Sequence, residues 1–152
     1  VINSAPSFIV DSWRTRLQVW LRLSLIRLFG LPGLARMLAG KLFPKPEQQA
    51  LRELVTQRIA GNEQTSYLHA MRAIPGWSSL PAVQTVETPL LVVAGDRDYT
   101  PLAYKQAYVA QLHNARLEVI ADSGHATPLD QPEALNRLLD EFIAEHSAAL
   151  PA

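Results

Sequence analysis

No cysteine occurs in the chain. Disulfide scaffolds, zinc–thiolate sites and thiol nucleophiles are therefore excluded, and the redox compartment is left open. Histidine is sparse as well. His69, His113, His125 and His146 stand far apart with no paired metal-ligand spacing, so no metal is expected. Long apolar runs are missing, because Arg14, Arg16, Arg22 and Arg27 interrupt the best candidate and no membrane-spanning helix is predicted from it. A secretory leader pattern is also lacking at Val1. Acids are nearly absent from residues 1–46, which carry seven lysines and arginines against Asp11 alone, a net of +6. The remainder, with seven bases against thirteen acids, is −6, so the chain is neutral but polarised. What is present is ordinary globular chemistry: 152 residues, 48% of them apolar and 18% charged, enough to bury a core.

Val1 to Asn3 reads as the end of a strand. Residues 11–29 read as a helix capped by Asp11 or Ser12 and closed by Gly30. Its Trp13, Leu17, Trp20, Leu21, Ser24 and Leu28 share one face, while Val19, Leu23 and Ile26 form a second. The arginines fall between these stripes, which favours a helix buried on two sides over one lying on a membrane surface. Residues 30–46 read as broken helix, punctuated by Pro32, Gly33, Gly40, Pro44 and Pro46. Two further helices follow, from Pro46 to Gly61 with Leu51, Leu54, Val55, Arg58 and Ile59 on one face, and over 62–74 with Tyr67, Ala70, Met71 and Ile74 inward.

A proline-rich connection over 75–89 changes the pattern. "LLVVAG" at 90–95 is a continuous apolar run suited to a parallel strand covered on both faces. Residues 101–112 read as a helix, 116–121 as a strand, and 131–146 as a helix with Leu135, Leu138, Leu139, Phe142 and Ile143 inward. This is a βαβα order and predicts a parallel sheet.

Chemistry-bearing residues collect at the C-terminal ends of these strands, where an α/β sheet places its ligands. "VVAGDRDYTP" brings Asp96 and Asp98 to the first strand end, and "ADSGHATPLDQPE" brings His125 to the second. Asp98 and His125 can then meet at one sheet edge, the carboxylate fixing the imidazole tautomer and stabilising its protonated form. Two rival readings of the aspartates are a plain turn with a helix cap and the Asp-x-Asp-x-Thr pattern of aspartyl-phosphate, Mg²⁺-dependent phosphatases, which Asp96, Asp98 and Thr100 match by letter. That second chemistry needs an acidic pair farther along and a phosphate-neutralising lysine, yet Lys105 is the sole lysine after Thr100.

With these residues in place, the sequence resembles the α/β-hydrolase family. "PLLVVAGDRDYTP" at 89–101 is similar to the family strand bearing the triad acid, and "DSGHATPLDQPEALNRLLDEFI" at 122–143 is similar to the segment bearing its histidine. The resemblance implies Asp98 as triad acid and His125 as base, in the family's order. It also implies an α/β fold whose parallel, helix-flanked strands form the C-terminal part of the hydrolase sheet, with an all-helical cap insertion. The expected divisions are 1–8 as a strand end of the core, 9–82 as cap or lid, and 83–152 as the rest of the core.

The family nucleophile lies in Gly-x-Ser-x-Gly, and no such pentapeptide occurs. Neither Ser4, at a strand end without flanking glycines, nor Ser123, in the histidine loop, fits that elbow. A strand starting at Val1 would also leave an apolar parallel edge unpaired. The expectation is thus a hydrolase portion whose partner is the N-terminal half of the fold carrying the serine, on the same chain before cleavage or on a separate one. Its substrate would be a small molecule with an ester, lactone or carbon–carbon bond to cleave, met in a cap–core cleft with Trp13 and His69 as candidate contacts. No cofactor, metal or nucleic acid is expected, and the location is left open with a slight lean to the cytoplasm. The contrasting expectation is a non-catalytic interaction or membrane-surface module that binds through the basic stretch 11–46.

Overall fold

The computed structural model of the chain describes residues 1–147. Two compact units emerge, one of residues 7–79 and one that joins residues 1–6 to the chain from Leu80 onward.

The first unit is helical: α1 (Trp13–Leu42), a 3-10 turn at Pro46–Gln48, α2 (Gln49–Ala60) and α3 (Gln64–Ala73). Ser12 caps α1 by accepting from the Thr15 N–H at 3.2 Å, which satisfies one of the orphan donors of a helix start. The stretch read as broken after Gly30 is instead a second helical segment. Gly30 has φ 63° and ψ −175°, so it acts as a joint between two helical segments, and Pro32 falls in the first turn of the second. There its missing N–H has no intrahelical partner to lose. Ile26, Leu31 and Leu34 form the buried centre, against which Leu25, Leu38, Tyr67, Leu68 and Met71 pack.

Only one face of the first helical segment is covered, not two. Trp13 and Leu28 are 70% and 76% exposed, and Leu17, Trp20 and Leu21 are exposed with them, because this stripe lies across the helix from Ile26. By length and composition alone α1 could cross a membrane. Its bend at Gly30 and the burial of Leu31, Leu34, Ala35 and Ala39 bind its second segment into the unit instead. On α3 the inward residues are Tyr67, Leu68 and Met71, whereas Ala70 and Ile74 are exposed.

Arg52 fixes the turn into α2. Its Nη1 donates to the carbonyls of Phe43 and Lys45 at 2.7 and 2.6 Å, filling acceptors that a helix end leaves open. The two ends of the unit are themselves tied, since the Phe8 N–H donates to the Trp77 carbonyl and the Gly76 N–H to the Phe8 carbonyl, both at 2.9 Å. Residues 7–79 therefore leave and rejoin the chain at one closed base.

The second unit contains α4 (Leu80–Val83), β1 (Leu90–Gly95), α5 (Leu102–Val109), β2 (Ala115–Ile120), α6 (Thr127–Asp130) and α7 (Pro132–Ser147). β1 pairs in parallel with β2 in a register running from Leu90 against Ala115 to Gly95 against Ile120. On its other side Ile2 bridges Val93 in parallel, with Val93 N–H to Val1 O at 2.7 Å and Asn3 N–H to Val93 O at 2.9 Å. β1 is thus paired along both edges, and every residue from Leu91 to Gly95 is buried. Leu91, Val93, Ile120 and Leu135 make its core, supported by Ile2, Ala134, Leu138, Leu139 and Phe142. Each such side chain contributes about 1.5–3 kcal/mol when fully buried. Ile143, expected inward, is exposed instead, because it sits at the rim of the α7 apolar stripe.

Candidate active site

The site grows from the C-terminal end of β1. Gly95 is buried there, and a Cβ on it would strike the backbone oxygens of Ser123 and Gly124, so only glycine lets the two strand-end loops touch. Beyond it the loops are stitched together. The Asp96 N–H donates to Ile120 O at 3.1 Å, the Arg97 N–H to Ser123 O at 2.9 Å, and the Ser123 N–H to Asp96 Oδ1 at 3.1 Å. Asp96 is exposed, and its carboxylate serves as this tie between loops. Arg97 reaches away to an exposed ion pair with Asp122 at 2.5 Å, of the kind that contributes little.

Asp98 turns inward, and its side chain is fully buried. Its Oδ1 lies 3.0 Å from His125 Nδ1 and accepts from the Thr100 N–H at 3.1 Å. Its Oδ2 accepts from the Thr100 hydroxyl at 2.6 Å and from the ammonium of Lys105, which is itself buried on α5. Burial pushes the Asp98 carboxyl up, but the hydrogen bonds from Lys105 and Thr100 and the charge of His125 outweigh it and hold the group below its ordinary value. The Asp-x-Asp-x-Thr letters therefore have a structural use here, with Thr100 capping Asp98.

His125 keeps 32% of its side chain exposed and stacks against Tyr99, with ring centroids 4.3 Å apart. With Nδ1 held by a carboxylate, the tautomer that carries its proton on Nδ1 is favoured, which leaves Nε2 free to accept one. Among the described residues Nε2 has no hydrogen-bond partner.

The histidine loop is held from below by a buried polar network that sequence reading missed. Asn3 Nδ2 lies 3.0 Å from Gly124 O, 2.9 Å from His125 O and 2.6 Å from Thr127 Oγ1, while Asn3 Oδ1 accepts from the Gly95 N–H at 2.8 Å. One side chain thereby fixes both the acid-bearing strand end and the histidine-bearing loop. Asn3 has φ 42°, a left-handed conformation that asparagine tolerates better than most residues. Asp130 completes the network, accepting from the Gly124 N–H at 2.6 Å and from the Ser123 hydroxyl at 2.9 Å.

Of the two serines weighed earlier, Ser123 is buried with its hydroxyl committed to Asp130, and Ser4 offers its carbonyl to the Tyr108 hydroxyl at 3.1 Å. Trp13 and His69 lie on α1 and α3 of the helical unit, both exposed, and no contact within that unit brings them together with another candidate.

Residues 2–138 match the alpha/beta hydrolase family. A Bacillus subtilis protein provisionally named 2-succinyl-6-hydroxy-2,4-cyclohexadiene-1-carboxylate synthase is 25% identical over 103 residues, which cover 63% of this chain and 38% of that protein. Among solved structures, an esterase from Thermogutta terrifontis matches 95% of this chain and 54% of its own, at a TM-score of 0.76 and 20% identity. The enol-lactonase from Burkholderia xenovorans matches 94% of this chain and 54% of its own, at 0.80 and 17%. These structures share the fold, and the chain spans about half of their length. With residues 2–138 inside the family pattern, the chain belongs to the alpha/beta hydrolase family.

Proposed function

We propose that this chain supplies the acid and the base of a serine-type hydrolase, with Asp98 as acid and His125 as base. The observation that carries the reading is the 3.0 Å contact between Asp98 Oδ1 and His125 Nδ1, with Nε2 of the same ring unengaged. The nucleophile would come from another part of the fold, since the sequence contains no Gly-x-Ser-x-Gly. Its serine oxygen would attack the substrate carbonyl carbon while its proton passes to Nε2. The same proton would then move to the departing group, and a water would repeat the sequence to free the acid.

The substrate class proposed is a small apolar molecule with an ester, a lactone or a cleavable carbon–carbon bond. An esterase and an enol-lactonase among the fold neighbours agree with that range. Residues 7–79, inserted at one closed base, are proposed as the cap whose apolar side chains select among substrates.

The test is hydrolysis of 4-nitrophenyl butyrate and labelling by a fluorophosphonate, in the protein assembled with its nucleophile-bearing half. His125→Ala is expected to abolish both. Undiminished turnover in His125→Ala would overturn the reading.

A further inference from the structure

We propose that Lys105 is a positioning residue of the Asp98–His125 pair, holding Asp98 Oδ2 so that Oδ1 stays aimed at Nδ1 of His125. Its catalytic meaning rests on the function proposed above, while its geometry does not. Lys105 is 1% exposed, and a lysine almost never reaches that depth without a partner. Its ammonium is bound to Asp98 Oδ2, with the Thr100 carbonyl at 3.5 Å.

Counting donors shows what the lysine adds. Asp98 receives Thr100 N–H and His125 on Oδ1, and Thr100 hydroxyl and Lys105 on Oδ2. A carboxylate offers about four lone-pair sites, so this one is filled and cannot turn. Because the helix α5 carrying Lys105 follows directly on the Asp98 loop, the clamp is built into one βα connection.

The pair is also balanced in charge, since the buried Asp98 carboxylate and the buried Lys105 ammonium cancel, which offsets the cost of holding the carboxylate away from water. The other groups around the pair are the Tyr99 ring against His125, and Asp96 and Asp130, whose carboxylates are held by Ser123 and Gly124. The exposed Arg97–Asp122 pair is internally neutral.

The test is the downfield Nδ1–H proton signal of His125, the signature of its bond to Asp98 Oδ1, read by NMR in the full chain. Lys105→Met is expected to weaken that signal by freeing Asp98 to turn, and Lys105→Arg, which keeps a cation at Oδ2, to preserve it. A folded Lys105→Met with an unchanged signal overturns the proposal. Lys105→Met leaves a buried carboxylate without its cation, so Lys105→Gln, which removes the charge but keeps a polar group in the space, covers a failure to fold. An unchanged signal in Lys105→Gln also overturns the proposal. These readings need no turnover, so a signal that behaves as expected beside undiminished turnover in His125→Ala would sink the hydrolase reading and leave the Lys105 clamp standing.

Discussion

Gly95 and Ser123 are in backbone contact across the two strand ends, close enough that a single methyl group on Gly95 would collide with the Ser123 carbonyl. The oxygen it meets belongs to the loop that carries His125, so the collision could be relieved only by moving that loop.

Gly95→Ala is accordingly expected to act on geometry and stability together. Forced overpacking of this kind costs about 1–3 kcal/mol. Chemical denaturation should show that loss, and the Nδ1 signal of His125 should lose the signature of its carboxylate hydrogen bond. A variant as stable as the parent, with that signature intact, would mean that the loops are not in contact as described.

Asp98→Asn is expected to lower turnover of the assembled enzyme by about four orders of magnitude, because the amide would favour the wrong imidazole tautomer. The sequence alone suggests little change in fold, but the buried partner Lys105 alters that expectation. Stranding one member of a buried pair costs about 3–5 kcal/mol, and an amide oxygen that still accepts a hydrogen bond should bring the loss below that range. Urea unfolding beside steady-state kinetics separates the two effects.

Acid should weaken the fold through the same carboxylate. Its folded-state value lies below the ordinary 3.8, so its contribution is complete above about 3.8 and is lost as pH falls through the lower folded value. Glu63, which accepts hydrogen bonds from the Ser66 side chain and from the Ser66 and Thr65 N–H groups at the start of α3, is held down at about 2 and follows the same sign. Thermal midpoints taken from about pH 5 to about pH 2 should fall, and less steeply for Asp98→Asn than for the parent.

Asn3→Ala should leave the buried Gly95 N–H without its acceptor and free the Gly124 and His125 carbonyls. An unsatisfied buried group costs about 1–3 kcal/mol. The expected kinetic result is a lower kcat with little change in KM, since the histidine loop loses its anchor while no proposed substrate contact is removed. A change confined to KM would assign Asn3 a different job.

The parts of this protein that sequence reading reached are those whose signal is local. β1 announces itself because six consecutive apolar residues answer to burial on both faces, and α7 because Pro132 and the Leu135, Leu138, Leu139 and Phe142 stripe obey one period. The Asp98 and His125 loops follow from strand ends already located. What escaped depends on distance or on position within an element. Pro32 reads as a breaker unless Gly30 is known to restart the helix just ahead of it. Asn3 reads only as the end of a strand, because every group its side chain binds lies more than ninety positions away. Lys105 enters the sequence reading only as the sole lysine after Thr100, and only the turn of the Asp98 loop reveals that it points into the protein.

The bond from Asn3 to Gly124 spans 121 residues of sequence, and closing so long a loop is a slow entropic step that local helices do not require. The bracing beneath His125 is thus acquired only when residues 1–3 dock beside β1 and reach the loop after β2. An intermediate with both strands and every helix in place, but without residue 3 docked, would carry the acid and the histidine on unfastened loops. Fastening the Asp98 and His125 loops is therefore a tertiary event, distinct from forming the helices and strands that carry them.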